Sequence, residues 1–390
     1  MLVMKFGGTS VADAKAMMRI IELIKTHRSP QTIVVVSAIA EATNILTELT
    51  ALAANNRLLE AHSVLSSFRD RHLKIASNLL KNRNLHEQTK KQIHNYFVEI
   101  CDTLKSISLS SKMSDKQFAK TLAFGELLSS TILHTALLDN NLRTTLVDAR
   151  KVIITNDNHR KGTPLIEQMI QRMVPLFNTH LGQGNIVLTQ GFIAGTIDGT
   201  TTILGREGSD YSASLIGMLM DANEIQIWTD VDGIMTIDPK ISNKARFIPY
   251  LSFDEAAKLS FFGAKVIHPL TIKPAATKNI PVRILNSKNL SPTQPGTLIT
   301  GSYTQKHIKK TKESALLAIT YKTEQDKALV ALIGNNLTNM EEIKFDVFKA
   351  LDGSTIEMTV SDEANSTLIL TVEKDEVLTI IQKLHNMFFE

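Results

Sequence analysis

The first ten residues carry the strongest chemical signal in the chain. An apolar stretch runs into the segment Lys5–Ser10 (KFGGTS), after which a helical pattern begins. Two glycines let a ligand approach the backbone closely, and the lysine and the hydroxyl groups can bind phosphate oxygens. The segment therefore predicts the phosphate-binding loop of a nucleotide enzyme, although an ordinary tight turn between a strand and a helix would show the same pattern.

The two commonest phosphate-binding motifs are absent from the sequence. The chain contains no G-x-x-x-x-G-K-[ST] sequence, and no G-x-G-x-x-G follows a predicted strand. We therefore exclude a P-loop enzyme and an obvious dinucleotide-binding enzyme.

Length and composition describe a globular protein with more than one domain. The chain has 390 residues, of which 43% are hydrophobic and 21% are charged, so it exceeds one typical core and lacks the composition of a disordered protein. The net charge of +4 is small and the lysines are dispersed, which argues against nucleic-acid binding. Cys101 is the only cysteine, and no apolar stretch reaches the roughly 18 residues of a membrane span. We expect a cytoplasmic protein that binds no membrane.

Strand and helix patterns alternate along the chain. The first helix repeats apolar residues at spacings of three and four between Val11 and Ile24. We predict an α/β fold with a mostly parallel sheet sandwiched by helices, and a mainly helical insertion at about 45–141. The predicted strands are Leu2–Phe6, Thr32–Ser37, Thr144–Asp148, Asn185–Gln190, Glu224–Thr229 and Val282–Leu285.

A second, smaller domain is predicted at the C-terminal end. The turn-rich segment Ser291–Gly296 and the basic segment Lys306–Lys312 separate it from the rest, which gives domains at 1–298 and 312–390. Its pattern indicates a small α+β domain. We predict strands at 315–321, 328–333, 355–360 and 366–372, and helices at 340–351 and 375–389.

Polar turns follow several of the predicted strands. In open α/β sheets, ligands collect at the carboxyl ends of the strands, so these turns are candidates for one binding site. Each turn alone could be structural, but several at one sheet edge favour a site. The turns are Ser37-Ala38 with Thr43-Asn44 beyond it, Gly205–Asp210 before a helix at 211–220, and Thr229–Gly233 followed by Asp238–Lys240.

Glu126 lies on the apolar side of a predicted helix. The helix spans Ser114–Asn140, and Glu126 shares a stripe with Leu122, Ser129 and Leu133. A carboxylate in such surroundings is costly unless a cation meets it. The cation could be the ammonium group of a free amino acid or the guanidinium of a structural salt bridge.

Taken together, these motifs resemble those of the aspartate kinases in the amino acid kinase family. The resemblance implies the amino acid kinase fold and transfer of the γ-phosphoryl group of ATP to the side-chain carboxylate of L-aspartate, with Mg²⁺ present. The products would be ADP and 4-phospho-L-aspartate, in the first step towards lysine (through diaminopimelate), threonine and methionine. The matching segments, in family order, are KFGGTSV at 5–11, VSA at 36–38, FGE at 124–126, TQGF at 189–192, GR at 205–206, GSD at 208–210, WTDV at 228–231 and FGAKVIHP at 262–269.

The resemblance also assigns roles to residues. Phosphoryl transfer to a carboxylate needs cations and backbone donors that hold two anions in line, which suits Lys5 and Arg206 as catalytic residues. Asp210, the third catalytic residue that the resemblance implies, would help to hold the aspartate or to organise the transfer. Metal ligands stay unassigned, because Mg²⁺ in such sites is held largely by phosphates and water. The residues matched to ATP binding are Lys5, Gly7, Gly8, Ser10, Thr229, Asp230, Lys240 and Lys265, and those matched to the amino acid are Ser37, Thr43, Glu126, Arg206 and Asp210.

Besides Glu126, three of these residues have structural alternatives. Lys5 could be an edge lysine, Asp210 could be a helix N-cap, and Lys240 could form a surface salt bridge. The sequence also departs from the family, which commonly has glycine where this chain has Glu41 and Glu207. These two carboxylates lie near an anionic site and could weaken binding. Met235 replaces a frequent tyrosine, and Lys240 a frequent arginine.

The C-terminal region is shorter than the family pattern. Aspartate kinases usually carry two ACT modules, and here one ACT-like module is expected, with a strand at 314–321 left over from the other. The resemblance implies a homodimer or higher homo-oligomer through this module, without indicating which amino acid inhibits. Acetylglutamate kinase, glutamate 5-kinase and uridylate kinase share the fold and remain alternatives. So does an inactive amino-acid or nucleotide sensor.

Overall fold

The computed structural model of the protein describes residues 1–264, 269–289, 296–301, 316–324, 326–334, 340–352, 354, 356–360 and 367–389. Lys265, which sequence analysis placed at the nucleotide, lies outside these ranges. The chain folds into two compact units. One contains Met1–Val231 and Leu285–Gln294, and the other contains Asp232–Ile284 and Pro295–Glu390.

A parallel sheet forms the centre of the first unit. Its strands lie in the order β7-β1-β2-β4-β3, and every neighbouring pair is parallel. All residues of β1, β2 and β4 are buried, as expected of a parallel sheet covered on both faces. The strands of this unit are β1 (Leu2–Phe6), β2 (Thr32–Val36), β3 (Thr144–Val147), β4 (Ile186–Gln190), β5 (Ile193–Gly195), β6 (Thr201–Ile203) and β7 (Glu224–Thr229).

Seven helices accompany these strands. Four consecutive helices, α2 to α5, follow β2, in the part of the chain where the sequence predicts a mainly helical insertion. Helix α5 is long and apolar enough to cross a membrane, but 89% of its most apolar stretch is buried in the fold, as in a core helix. The helices are α1 (Ala14–His27), α2 (Ala42–Ala54), α3 (Leu58–Leu79), α4 (Arg83–Ser110), α5 (Asp115–Asp139), α6 (Ile166–Gly182) and α7 (Gly208–Leu219).

The second unit begins with short elements. Strands β8 and β9 form an antiparallel pair, while β12 pairs with β11 in antiparallel and with β10 in parallel orientation. The last two residues of β11 belong to the first unit. The elements are β8 (Ile234–Met235), β9 (Phe247–Ile248), β10 (Tyr250–Leu251), α8 (Phe253–Phe261), α9 (Pro269–Thr277), β11 (Val282–Asn286) and β12 (Thr297–Ile299).

A four-stranded antiparallel sheet with two helices completes the second unit. Its strands lie in the order β13-β14-β16-β15, and its core contains Val330, Leu332, Leu368, Leu370 and Leu384. The elements, which confirm the predicted strands and helices, are β13 (Leu316–Glu324), β14 (Lys327–Gly334), α10 (Met340–Ala350), β15 (Glu357–Val360), β16 (Thr367–Glu373) and α11 (Val377–Phe389).

The prediction that β13 is left over from another module is wrong. The strand pairs with β14 from Leu316↔Gly334 to Glu324↔Lys327 and forms an edge of the same sheet. If β14, β15 and β16 are numbered 1 to 3 and β13 is numbered 4, the spatial order of the strands is 4-1-3-2. This is the arrangement of a βαββαβ module in which the fourth strand precedes the other three in the sequence. The module is therefore complete with four strands. We call it the C-terminal module.

Candidate active site

The loop after β1 is held between two neighbouring segments. The backbone N–H of Gly7 donates to the carbonyl of Trp228 (3.2 Å), and the N–H of Ala40 donates to the carbonyl of Gly8 (3.1 Å). Gly8–Val11 forms a single 3₁₀ turn. A Cβ atom at Gly8 would lie 3.0 Å from the carbonyl oxygen of Ala38, so a side chain there would crowd the backbone. The glycine thus permits the close approach of the loops that follow β1 and β2.

Lys5 and Asp210 form a buried ion pair. Lys5 lies in β1, and its Nζ is 2.5 Å from Oδ1 of Asp210 in the first turn of α7. Strand β1 lies between β2 and β7, so the interpretation of Lys5 as an edge lysine is wrong. The N-cap interpretation of Asp210 is also wrong, because Glu207 occupies that position. The pair places a cation and a carboxylate beside the glycine loop.

Glu126 is a buried carboxyl group with one free oxygen. The residue is 2% exposed, and its Oε1 accepts a hydrogen bond from the N–H of Ala38 (3.1 Å). Its Oε2 has no hydrogen-bond partner, and among the described residues it forms no ion pair. The predicted alternative of a structural salt bridge to an arginine is therefore not found there. Burial raises the pKa of Glu126 to about 8, so the ligand-free carboxyl group is mainly protonated at neutral pH.

Ser37 connects four elements at the same end of the sheet. Its N–H donates to the carbonyl of Phe6, and its own carbonyl accepts from the hydroxyl of Ser129 in α5 (2.6 Å). The hydroxyl of Ser209 in α7 donates to Oγ of Ser37 (3.2 Å). The site thus brings together Lys5, Ser37, Glu126 and Asp210 at the carboxyl ends of parallel strands, as ligand sites in open α/β sheets require.

Ser10 faces a partner that sequence analysis missed. Its hydroxyl donates to Oγ of Ser287 (2.7 Å), and the hydroxyl of Ser287 donates to the carbonyl of Thr229 (2.9 Å). The N–H of Ser287 donates to the same carbonyl (2.8 Å). This hydrogen-bonded chain ties the glycine loop to the end of β7. Ser287 directly follows β11, so inspection of the strand ends could have found it.

The two glutamates that replace family glycines share one backbone conformation. Glu41 (φ 67°) and Glu207 (φ 52°) both lie in the left-handed region and are the N-cap residues of α2 and α7. Glycine is the residue that adopts this region without cost, which explains its use at both positions. Oε2 of Glu41 accepts a hydrogen bond from the side chain of Asn44 (2.8 Å).

The remaining predicted site residues lie at less enclosed positions. Arg206 is exposed just before α7, and Thr43 is half-buried in the first turn of α2. Thr229 is the last residue of β7, and Asp230 comes directly after it. The hydroxyl of Thr229 donates to Oδ1 of Asp230 (3.3 Å). Lys240 belongs to the second unit and is exposed. Their contacts to substrates stay predictions.

The sequence profile of the amino acid kinase family matches residues 1–286. The chain belongs to the amino acid kinase family. The bifunctional aspartokinase/homoserine dehydrogenase of Buchnera aphidicola is 36% identical to this amino acid kinase over 77% of the chain. The matched part covers only 36% of the length of that relative. The lysine-sensitive aspartokinase 3 of Escherichia coli is 29% identical over 100% of this chain and 99% of its own.

A solved structure has the same fold along the whole chain. E. coli aspartokinase III, in complex with aspartate and ADP, matches 100% of both chains with a TM-score of 0.86 and 27% sequence identity. The predicted amino acid kinase fold, with its parallel sheet between helices, is thereby confirmed.

Proposed function

We propose that this amino acid kinase is an aspartate kinase, which transfers the γ-phosphoryl group of ATP to the side-chain carboxylate of L-aspartate. The observation that carries the proposal is the buried carboxyl group of Glu126, whose Oε2 has no partner. A free amino acid supplies an ammonium group for this oxygen, whereas an N-acetylated amino acid or UMP does not. The likeness to aspartokinase III, solved with aspartate and ADP, supports the same substrates here.

The site residues suit phosphoryl transfer between two anions. Lys5 would contact the transferring phosphoryl group, and the backbone N–H of Gly8 would bind a phosphate oxygen, while the N–H of Gly7 stays bonded to Trp228. Asp210 holds the ammonium group of Lys5 in place through their ion pair. Arg206, which is exposed before α7, would bind a carboxylate of aspartate with its planar guanidinium. Catalysis in this scheme consists of positioning and charge neutralisation.

The donor set fits a Mg²⁺ ion held by the nucleotide. Among the described residues, no three His, Cys, Asp or Glu side chains converge in a way that could enclose a metal. Mg²⁺ usually keeps several waters and binds one or two carboxylates together with substrate phosphates, so a complete protein cage is not needed. When bound with ATP, the ion would neutralise phosphate charge. Asp210 is the buried carboxylate nearest to Lys5 that could face it.

ADP formation with a panel of acceptors tests the proposal. The purified protein would receive Mg·ATP with L-aspartate, L-glutamate, N-acetylglutamate or UMP, and we expect turnover with aspartate alone. In the Glu126→Gln variant, KM for aspartate should rise about 100-fold with KM for ATP unchanged within twofold. The ammonium group of bound aspartate would favour the ionised form of Glu126, and glutamine cannot supply that charge. Turnover with N-acetylglutamate or UMP would contradict the proposal. ATP binding without any turnover would instead support a sensor.

The proposed domains are a catalytic domain at 1–298 and an ACT-like domain at 312–390. The chain is expected to form a homodimer or higher homo-oligomer and to act in the cytoplasm. The C-terminal module supports this assembly, because Phe345 and Phe348 are exposed on α10 while Ile343 and Val347 of the same helix face the core. A second copy could cover the two phenylalanines. Sedimentation at micromolar concentration should give an oligomer, and the Phe345→Ser/Phe348→Ser variant should give a monomer.

A further inference from the structure

An arginine in the helical insertion contacts both loops of the proposed active site. Arg71 lies in α3, and its Nη1 donates to the carbonyl of Ala40 (2.9 Å). Its Nη2 approaches the carbonyl of Ala12 (3.3 Å). Ala12 directly follows the 3₁₀ turn of the glycine loop, and Ala40 directly precedes the left-handed Glu41. One guanidinium group thus bridges the chain after β1 and the chain after β2.

These two loops also contact each other, and one of them contacts Glu126. The N–H of Ala40 donates to the carbonyl of Gly8, and Oε1 of Glu126 accepts from the N–H of Ala38. The loop that binds Glu126 is therefore fixed to the loop expected to bind phosphate. Arg71 joins both from the α3 side, and its bonds are charge-assisted, which makes them stronger than bonds between neutral groups.

Arg71 has no carboxylate partner among the described residues, so its contacts differ from those of a surface ion pair. Arg69, two residues earlier in α3, instead contacts its neighbour Asp70 (3.1 Å) at an exposed position. The two arginines share a helix and a charge. They differ in whether they contact the site loops, and Arg69 is therefore a matched control.

We propose that Arg71 is a positioning residue that holds the glycine loop and the Ala38–Ala40 loop in register for phosphoryl transfer. This proposal rests on the proposed function for its kinetic consequences, but the loop contacts can be tested without any activity. It gives the helical insertion a role in building the site, which a merely solvated subdomain would not have. A lysine would bridge the two carbonyls less well, because its three N–H donors lie on one nitrogen, whereas Arg71 uses two separate nitrogens.

Hydrogen exchange of the intact protein tests the contacts directly. In the Arg71→Ala variant, amides in residues 8–12 and 38–42 should exchange at least about fivefold faster, because opening of these loops becomes easier. The Arg69→Ala variant should leave both segments unchanged, and Arg71→Lys should give an intermediate result. Equal exchange in the Arg71 and Arg69 variants would overturn the proposal. This outcome is independent of whether the protein phosphorylates aspartate.

Kinetics supply the second readout. Arg71→Ala should lower kcat/KM for both aspartate and ATP by about 10- to 100-fold, since a small misplacement of reacting groups has effects of this size. Millimolar guanidinium should restore part of the loss, while NaCl at the same concentration should not. A loss that no guanidinium rescues, with a lowered Tm and unchanged loop exchange, would assign Arg71 a purely structural role. If Arg71→Ala does not fold, loop exchange and kinetics can be compared with Arg69→Ala in the Arg71→Lys and Arg71→Gln variants instead.

Discussion

Lys5 and Asp210 come from distant parts of the sequence and form a buried ion pair of 2.5 Å at the carboxyl end of β1. Removing one partner from such a pair leaves an uncompensated buried charge, whereas removing both is better tolerated. We expect Asp210→Asn and Lys5→Met each to lower the free energy of unfolding by about 3 kcal/mol. The double variant should be destabilised by less than the sum of the two.

Urea unfolding of the four proteins measures this coupling. A coupling free energy of about 1 to 3 kcal/mol is expected for residues in direct contact. Additive effects would show that the pair does not contribute to folding as a unit. Both single variants should also lose most ADP formation. The double variant should stay inactive despite its recovered stability, because Lys5 is proposed to contact the phosphoryl group.

The pKa of Glu126 predicts how stability changes with pH. Burial raises this pKa to about 8, while the unfolded chain has the ordinary value of 4.5. Between these values the folded protein keeps a proton that the unfolded chain releases, so the unfolded state is favoured as pH rises. The stabilisation from the protonated carboxyl group is complete below pH 4.5 and is lost as pH approaches 8, with a slope of up to about 1.4 kcal/mol per pH unit.

The Glu126→Gln variant removes this titration and keeps the size of the side chain. Its free energy of unfolding should therefore fall less between pH 5.5 and 8 than that of the unchanged protein. Glu255, another buried carboxyl group with a raised pKa, is present in both proteins and cancels in the comparison. Parallel pH profiles from urea unfolding would contradict a protonated Glu126.

Local signals in the sequence point to two residues that the structure places in the candidate site. Apolar strand patterns and the glycine pair located Lys5 and its loop, and the lone carboxylate on an apolar stripe identified Glu126 as unusual. Contacts between distant segments were not predictable in this way. Ser287 follows a strand without any sequence motif, and Arg71 is one of many charged residues on a long amphipathic helix. Only the folded chain shows which carbonyl groups they reach.

Strand β13 illustrates the same limit at the level of topology. Its apolar pattern predicted a strand but not its neighbour, because pairing depends on contacts across the whole module. The glycines expected by family resemblance at Glu41 and Glu207 are a contrasting case. There, the sequence departure pointed to backbone positions where the structure shows positive φ angles.

Ser287 should tune nucleotide binding through its hydrogen-bonded chain. In Ser287→Ala, Ser10 loses its shorter hydrogen bond and keeps only the longer one to the carbonyl of Trp228 (3.4 Å), and the carbonyl of Thr229 loses one donor. The glycine loop is therefore held less firmly to β7. We expect KM for ATP to rise about fivefold, which corresponds to one hydrogen bond of about 1 kcal/mol, with KM for aspartate little changed. Ser287→Thr keeps the hydroxyl group and should stay close to the unchanged protein.

Fluorescence offers a direct binding assay for these variants. Trp228 is the only tryptophan, and its carbonyl accepts the N–H of Gly7, so its emission should report events at the glycine loop. Titration with ATP should show weaker binding in Ser287→Ala and ordinary binding in Ser287→Thr. If both variants bind ATP equally well, Ser287 does not position the loop.

Glu41 and Glu207 should destabilise the protein through their backbones. A left-handed conformation costs a residue with a Cβ atom about 1 kcal/mol or more, and glycine avoids this cost while losing more entropy on folding. We expect Glu41→Gly and Glu207→Gly each to raise the free energy of unfolding by roughly 0.5 to 1 kcal/mol. At position 41 the loss of the hydrogen bond from Asn44 to Glu41 should offset part of this gain.

Ser111 provides a control away from the site. It has a positive φ of 47° at the C-cap of α4, so Ser111→Gly relieves the same backbone conformation far from the substrates. The substitution also removes the hydroxyl group that accepts a hydrogen bond from the side chain of Asn56 (3.2 Å). Thermal unfolding should show a gain for this variant that is reduced by the loss of this hydrogen bond, with KM for ATP and aspartate unchanged. If the carboxylates also repel the anionic substrates, the glycine variants at positions 41 and 207 should lower these KM values, and the effect should shrink at high salt. Ser111→Gly should show no such salt dependence.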